Sequence, residues 1–251
     1  MYVWFDALNI YQTGIGFGYD QTLFDTWAGQ DCMVIGKGIL RFHVVYWPAI
    51  LKSAGLPIPK SCFSHGYLTV DGQKMSKTLG NVVDPVSVIE KYGTDAVRYY
   101  LLKEIPSYSD GDYSERRFKE VYNSDLAGGL GNLIARIAKL AEKTPDVRIK
   151  SCNFSALSEQ ICKTELDEYR FNDALSNIWS KIKEADQYID TNEPWKLEGK
   201  ALSLVIKSAS NRIVEIATLL EPFMPETSIK IVKQFTADKV TVQPALFPRI
   251  Q

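Results

Sequence analysis

The spacing of apolar residues changes once along this chain, near residue 114, and the change divides it in two. In the first part apolar residues come in short runs. Tyr2-Val3-Trp4-Phe5 is an aromatic and β-branched run and predicts a buried strand. After a loop with Gly14, Gly16 and Gly18, Cys32-Met33-Val34-Ile35 predicts a second strand that ends at Gly36-Lys37-Gly38. Residues 39–54 predict a helix with Ile39, Phe42, Val45, Tyr46, Ala49 and Ile50 on one face, kinked or restarted at Pro48. Pro57 and Pro59 break the chain, and residues 61–70 predict a third strand before the turn Asp71-Gly72. Strand, helix and strand in that order make a parallel α/β layer. A core strand at residues 2–5 needs neighbours, so the rest of its sheet is expected to lie outside this sequence.

From Asp84-Pro85 two short helices separated by Gly93 are predicted, then a surface loop over residues 105–113, rich in Ser, Asp, Gly and Tyr. Beyond it the period turns helical. Phe118, Tyr122, Leu126, Leu130, Leu133, Ile137 and Leu140 recur at steps of three and four, and a polar linker with Pro145 and Asp146 ends that helix. Leu166, Ala174, Leu175, Ile178, Ile182, Ala185 and Ile189 mark a second helix, closed by Asn192 and Pro194. Leu202, Val205, Ala209, Ile213, Ile216 and Leu220 mark a third, closed by Pro222, and a short fourth covers residues 226–235. The expected fold class is α/β followed by all-α, the second half an antiparallel helical bundle. Three segments are expected: an α/β part over residues 1–83, a connecting part over 84–114 and the helices over 115–251.

Composition narrows the class. The chain has 251 residues, of which 45% are apolar and 24% charged, so it is a globular chain with room for one large or two modest cores. No run of about 18 apolar residues occurs, so no membrane-spanning helix is expected. The start has no basic segment before its apolar run and carries an early Asp6, which argues against a secretory signal. Cys32, Cys62, Cys152 and Cys162 form no CxxC pair, which points to reduced cytoplasmic thiols and to no metal site. Net charge is −1. A polyanionic partner must therefore be held by local patches or by base contacts, not by a global field.

The sharpest local chemistry is Lys74-Met75-Ser76-Lys77-Thr78-Leu79-Gly80-Asn81, on a loop after a strand. Two lysines three apart, with hydroxyls beside them and Gly72 and Gly80 at the flanks, suit a mobile anion clamp that follows charge developing on a polyphosphate. A bare Lys-x-x-Lys on a loop reads more readily as a solvated, charged turn, so the spacing alone does not carry this chemistry. In the helical half, Asn132 and Arg136 are four apart and share a helix face, and Trp195 follows Pro194 at a helix end where an indole can stay exposed. An amide, a guanidinium and an indole together can read unstacked bases.

The letters themselves go further. Lys74-Met75-Ser76-Lys77-Thr78 resembles the KMSKS loop of class I aminoacyl-tRNA synthetases, and His65-Gly66-Tyr67-Leu68 and Asn81-Val82-Val83-Asp84-Pro85 match its context. Within the class the chain resembles the methionyl-tRNA synthetases. Trp4-Phe5-Asp6-Ala7 with Tyr11, and Gly36-Lys37 with Arg41-Phe42-His43 and Trp47-Pro48-Ala49, resemble their amino-acid pocket segments. The resemblance implies the second half of a Rossmann-type catalytic domain, a small connecting fold and a helical anticodon-binding domain. It implies that Trp4, Ala7, Tyr11, Ile39 and His43 line a methionine pocket. It implies that Gly36, His65, Lys74, Met75, Ser76 and Lys77 meet ATP, with Lys74 and Lys77 catalytic. Asn132, Arg136 and Trp195 would read the CAU anticodon of a methionine tRNA. ATP would arrive with Mg²⁺, and no zinc site is implied in this segment. One departure is Gly38, where the family usually carries Asp. The lost carboxylate is expected to weaken adenylate binding by about 1.5–3 kcal/mol.

No His-Ile-Gly-His occurs, and His43 and His65 are the only histidines. The HIGH-containing half is expected to come from elsewhere, leaving the isolated chain without activity. The implied function is ATP-dependent activation of methionine and its transfer to tRNA. The alternatives are a non-catalytic anticodon-binding fragment and one subunit of a split synthetase. An exposed apolar edge around residues 2–5 and 32–35 would favour the split subunit.

Overall fold

The computed structural model describes residues 2–76, 78–144 and 147–251. They fall into two units. One takes in the residues up to Tyr67 together with Tyr108–Asp110; the other takes in Leu68–Ser107 and Gly111–Gln251. Lys77, Pro145 and Asp146 lie outside the described residues, so the second lysine of the clamp and the centre of the predicted linker have no structural account.

The first unit opens with three short helices, α1 (Val3–Ala7), α2 (Ile10–Gly14) and α3 (Gln21–Trp27). The strand expected at residues 2–5 is therefore a helix. The reason lies in the period: Leu8 donates its N–H to the Trp4 carbonyl, and this pair, four apart, turns inward. Leu8 is 1% exposed while Val3 is 67% exposed, so the aromatic run is amphipathic at helical spacing and not a buried strand. Strand β1 (Cys32–Gly36) pairs in parallel with β2 (Ser61–His65), in a register running from Cys32 opposite Ser61 to Gly36 opposite His65. Met33 and Ile35 are buried and Val34 faces out, as a half-covered sheet requires.

The crossover between these strands is helical as far as Ser53 but not uniform. A 3₁₀ turn (Lys37–Ile39) leads to a π segment (Phe42–Tyr46) and then α4 (Trp47–Ser53). Pro48 explains the change of winding. It has no N–H for the carbonyl four residues back, and its neighbour Trp47 donates five back, to Phe42. Trp47 and Leu51 of α4 close a small core with Leu8 and Met33. The third predicted strand is interrupted. β2 stops at His65, and Tyr67 donates its N–H to Asp110 at 2.7 Å. A side chain at Gly66 would overlap the Ser109 backbone.

The second unit holds a three-stranded sheet: β3 (Leu68–Val70) lies between β4 (Gln73–Lys74) and β5 (Gly111–Tyr113), antiparallel to the first and parallel to the second. The expected loop over 105–113 thus ends in a strand too short to show in the sequence pattern. Helices α5 (Pro85–Tyr92) and α6 (Thr94–Glu104) flank Gly93 as predicted. Then come α7 (Glu115–Val121), a π segment (Tyr122–Gly131) and α8 (Asn132–Ala141). The π winding needs its glycines: a Cβ at Gly128 would press on the Asn123 carbonyl and one at Gly131 on the Leu126 carbonyl, each five residues back.

Two helices were hidden in the linker region, α9 (Phe154–Ile161) and α10 (Lys163–Asp167); Leu166 belongs to α10 and not to the long helix after it. α11 (Phe171–Asn192), α12 (Gly199–Leu220) and α13 (Pro225–Phe235) complete the helical part. α12 packs against α8, α9, α11 and α13 and is the spine of a continuous core that includes Leu130, Ile137, Ile178, Ile206 and Ile231. The last stretch of chain has no regular structure but is pinned. Phe247 is buried beside Tyr122, and Asn123 exchanges two hydrogen bonds with the Ile250 backbone. Among the described residues no helix is long and apolar enough to cross a membrane.

Candidate functional site

In the first unit the π segment and the helices before β1 bring four of the five predicted pocket residues together. His43 is 3% exposed, and its ring is fixed at both nitrogens. Nδ1 lies 2.9 Å from the Ile39 carbonyl oxygen and Nε2 lies 2.8 Å from the Tyr11 hydroxyl. A carbonyl only accepts, so Nδ1 carries a proton, and in the neutral imidazole Nε2 accepts from Tyr11. This relay leaves the Tyr11 oxygen as an acceptor and gives the imidazole no free N–H. Trp4 stacks on Phe42 with ring centres 4.1 Å apart and turns its edge to His43 at 6.5 Å. Trp47 flanks Tyr11 at 6.0 Å. Ile39 enters through its carbonyl. Ala7 lies exposed at the end of α1. A cleft of about 310 Å³ opens beside Trp4, Tyr46 and Ile50 with wholly apolar walls, and of the predicted residues it includes only Trp4.

Gly36 and His65 face each other at the C-terminal ends of β1 and β2. His65 is exposed and its Nδ1 lies 2.8 Å from the Gly66 carbonyl. Beside them Lys37, Tyr67 and Asp110 form a group that no linear motif assembles. Lys37 Nζ sits 2.6 Å from Asp110 Oδ1 and 4.7 Å from the centre of the Tyr67 ring. The ammonium beside it, and then the Tyr67 N–H, hold the Asp110 carboxyl below its ordinary range. A Cβ at Gly38 would run into the Tyr67 hydroxyl, so an acidic residue at 38 requires Tyr67 to turn away.

In the second unit Lys74 ends β4 and is exposed. Asn81 braces the loop that follows. Its Oδ1 accepts from the Ser76 N–H at 2.8 Å and its Nδ2 donates to the Lys74 carbonyl at 3.2 Å. Ser76 accepts from the Leu79 N–H, and Met75 is half-buried. Asn81 is thus a supporting residue, visible in the sequence as part of the loop but without a stated task.

Asn132 and Arg136 lie one turn apart at the start of α8, facing α11. Arg136 donates from one terminal nitrogen to Asp186 at 2.8 Å and from the other to Asp190 at 2.5 Å. The two carboxylates are themselves four apart on α11, a spacing that could have flagged them as a pair. They neutralise the guanidinium, yet leave it N–H donors to spare for a neutral base edge. Asn132, Trp179, Lys183 and Asp186 line a cleft of about 260 Å³ floored by Gly128 and Gly129. Trp179 is not free there: it stacks on Tyr99 at 4.4 Å. The Tyr99 hydroxyl donates to Asp125, and burial pushes that phenol well above its ordinary range. α11 ends at Asn192, and Glu193 takes the left-handed conformation with φ 42°. That reversal throws out the short turn Pro194–Lys196, on which Trp195 is 53% exposed. Trp195 therefore stands just beyond the helix end that carries Asp190.

A parallel strand–helix–strand layer with an aromatic pocket, and a separate helical unit with a braced lysine loop, are parts found together in a class I tRNA synthetase. The chain belongs to that class: the family model for tRNA synthetases class I (M) matches residues 1–138. Among individual relatives, the methionine-tRNA ligase of Clostridium acetobutylicum is 43% identical over 255 residues, covering 95% of this chain and 40% of the relative. That of Thermotoga maritima is 39% identical over 254 residues, with the same shares. A solved structure of Mycobacterium tuberculosis methionyl-tRNA synthetase in complex with methionyl-adenylate superposes with a TM-score of 0.79 at 34% identity, over 99% of this chain and 55% of that one. The chain thus spans about two fifths of the length of these curated relatives.

Proposed function

We propose that this chain carries part of the machinery that activates methionine with ATP and transfers it to a methionine tRNA. The observation that supports this best is the Tyr11–His43–Ile39 relay with Trp4 against it, in a segment matched by the family model. A thioether carries no donor and favours polarisable, aromatic surroundings. The relay supplies them, and because its protons are committed inside the protein it offers no N–H that would reward a more polar side chain. In the reaction a methionine carboxylate oxygen bonds to the α-phosphorus of ATP while the bond from phosphorus to pyrophosphate breaks. Lys74 and Lys77 meet the charge that grows on the leaving pyrophosphate, an interaction stronger in the transition state than in bound ATP. The nucleotide lies at the C-terminal ends of β1 and β2, where Gly36 and His65 stand. Mg²⁺ would accompany the ATP phosphates. Asn132, Arg136 and Trp195 read the anticodon by edge hydrogen bonds and stacking.

A second reading makes this chain one subunit that works with a separate HIGH-containing half. Its support is the exposure of Tyr2, Val3, Phe5 and Val34, all more than half accessible. Methionine-dependent ATP–pyrophosphate exchange, run beside binding of a CAU anticodon stem-loop, tests both readings. CAU binding with exchange only after adding a HIGH-containing half supports the subunit reading. Exchange by the chain alone supports a self-sufficient enzyme. Neither exchange nor CAU preference would sink the function proposed here.

A further inference from the structure

The base reader around Arg136 carries almost no net positive charge, because Asp186 and Asp190 flank the guanidinium at 2.8 and 2.5 Å. Carboxylates so placed repel phosphate. Whatever holds the backbone of a bound RNA strand must therefore lie elsewhere, and in a chain of net charge −1 it must be a local concentration of cationic side chains.

The helical unit has such a place. A cleft of about 540 Å³ opens between the last helix, α13, and the irregular C-terminal stretch. Lys230, Lys233 and Gln234 lie on one face of α13 at steps of three and four, and Lys239, Thr241 and Gln243 come from the opposite wall. Among the described residues no acidic side chain lines it. Asp238, adjacent in sequence and fully exposed, lies 3.9 Å from Arg148, and Glu142 accepts the Val242 N–H at 2.8 Å. The opposite face of α13 is committed to the core through Ile231 and Phe235. The wall is also preformed. Gln234 donates to the Thr241 carbonyl at 2.8 Å, Gln243 donates to the Thr241 hydroxyl at 2.9 Å, and Phe247 and Ile250 anchor the chain beyond.

We propose that this cleft is a sequence-independent binding site for the sugar–phosphate backbone of an RNA strand. The donor set decides between a strand and a small free anion. The groove contains ammonium groups on long exposed stems and neutral amide and hydroxyl groups between them, with no arginine fork among the described residues. Separated point charges along an open groove suit successive phosphates of a strand, each contact releasing a counterion. The inference rests on the proposal that RNA is the partner, and it adds a backbone site to the base reader.

The test measures binding of the full chain to CAU stem-loop RNA and to the same RNA with a changed anticodon, across a salt series. The variants are the triple Lys230→Ala, Lys233→Ala, Lys239→Ala and, separately, Trp195→Ala. The triple is expected to weaken both RNAs by the same factor and to flatten the plot of log affinity against log salt by about two, near 0.7 for each single-strand phosphate no longer neutralised. Trp195→Ala is expected to reduce the preference between the two RNAs and leave the salt slope unchanged. An unchanged slope and affinity in the triple, while Trp195→Ala still loses its preference, overturns the cleft and leaves the reader standing. A titration with tripolyphosphate completes the test. If the triple loses affinity for tripolyphosphate but not for either RNA, the cleft is a small-anion site and the backbone assignment is wrong. If the wild-type chain binds neither RNA, both proposals fall together.

Discussion

The two units use their aromatic and aliphatic residues in opposite ways. In the helical unit one continuous core encloses many large apolar side chains fully, with Leu130, Ile137, Ile178, Ile189 and Ile206 all at 0% exposure, while Leu204 and Ile229 stay on the surface. In the α/β unit, Tyr2, Val3, Phe5, Ile10 and Val34 lie on the surface, and the buried apolar residues are few: a cluster of Leu8, Met33, Trp47 and Leu51 with their partly buried neighbours, besides Phe24, Ile35 and Phe63. The helical unit has a large continuous core of its own. The α/β unit has a smaller core of its own and holds its site by specific polar contacts instead, with the His43 relay inside and the Lys37–Asp110 pair outside. Stability and site geometry are thus carried by different forces in the two units.

The widest separation is expected from packing. Ile137→Ala should cost about 2–5 kcal/mol, because a fully enclosed side chain leaves a cavity. Val34→Thr, at 67% exposure, should stay within about 0.5 kcal/mol. Denaturant unfolding followed by circular dichroism checks both, and equal costs would erase the contrast. Next comes Tyr11→Phe, which removes the donor to a buried imidazole nitrogen and should cost about 1–3 kcal/mol. Nitrogen NMR of His43 should still find the proton on Nδ1; a shift of that proton to Nε2 would show the relay to run the other way. A comparable loss, about 1–3 kcal/mol, is expected in CAU stem-loop binding for Trp195→Ala, the scale of one stacked base, with no change in folding.

The smallest effect concerns pH. The Lys37 ammonium, followed by the Tyr67 N–H, lowers the Asp110 carboxyl below 3.8. A depressed folded value means the pair contributes fully above the unfolded value and is lost as pH falls through the folded one. Carbon NMR of the Asp110 carboxyl should titrate below 3.8 in the native chain and return toward it in Lys37→Ala. An identical titration in both would remove the pair as a support of the exposed site.

Helical spacing was legible wherever a long amphipathic stripe met one core. The apolar positions from Phe118 to Leu140 and from Ala174 to Ile189 are buried or half-buried in the structure as their period requires. What misled was density without length. Tyr2-Val3-Trp4-Phe5 looks like a strand only if every apolar residue is assumed buried, and here Trp4 and Leu8 alone turn inward. β5 was missed because three residues, Gly-Asp-Tyr, carry no period. The family could be read from linear motifs. The partners of those motifs could not, because Asp110 reaches Lys37 across 73 positions and Asp186 reaches Arg136 across 50. Asn81, five residues from Ser76, was within reach as a loop brace.

The measurement that bears most directly on this account is the affinity of the full chain for a CAU anticodon stem-loop against the same stem-loop with a changed anticodon, at matched salt. The account predicts that CAU binds at least about tenfold more tightly, a difference of about 1.4 kcal/mol. Equal affinities would contradict it, because Asn132, Arg136 and Trp195 would then form an ordinary helix surface and not a base reader.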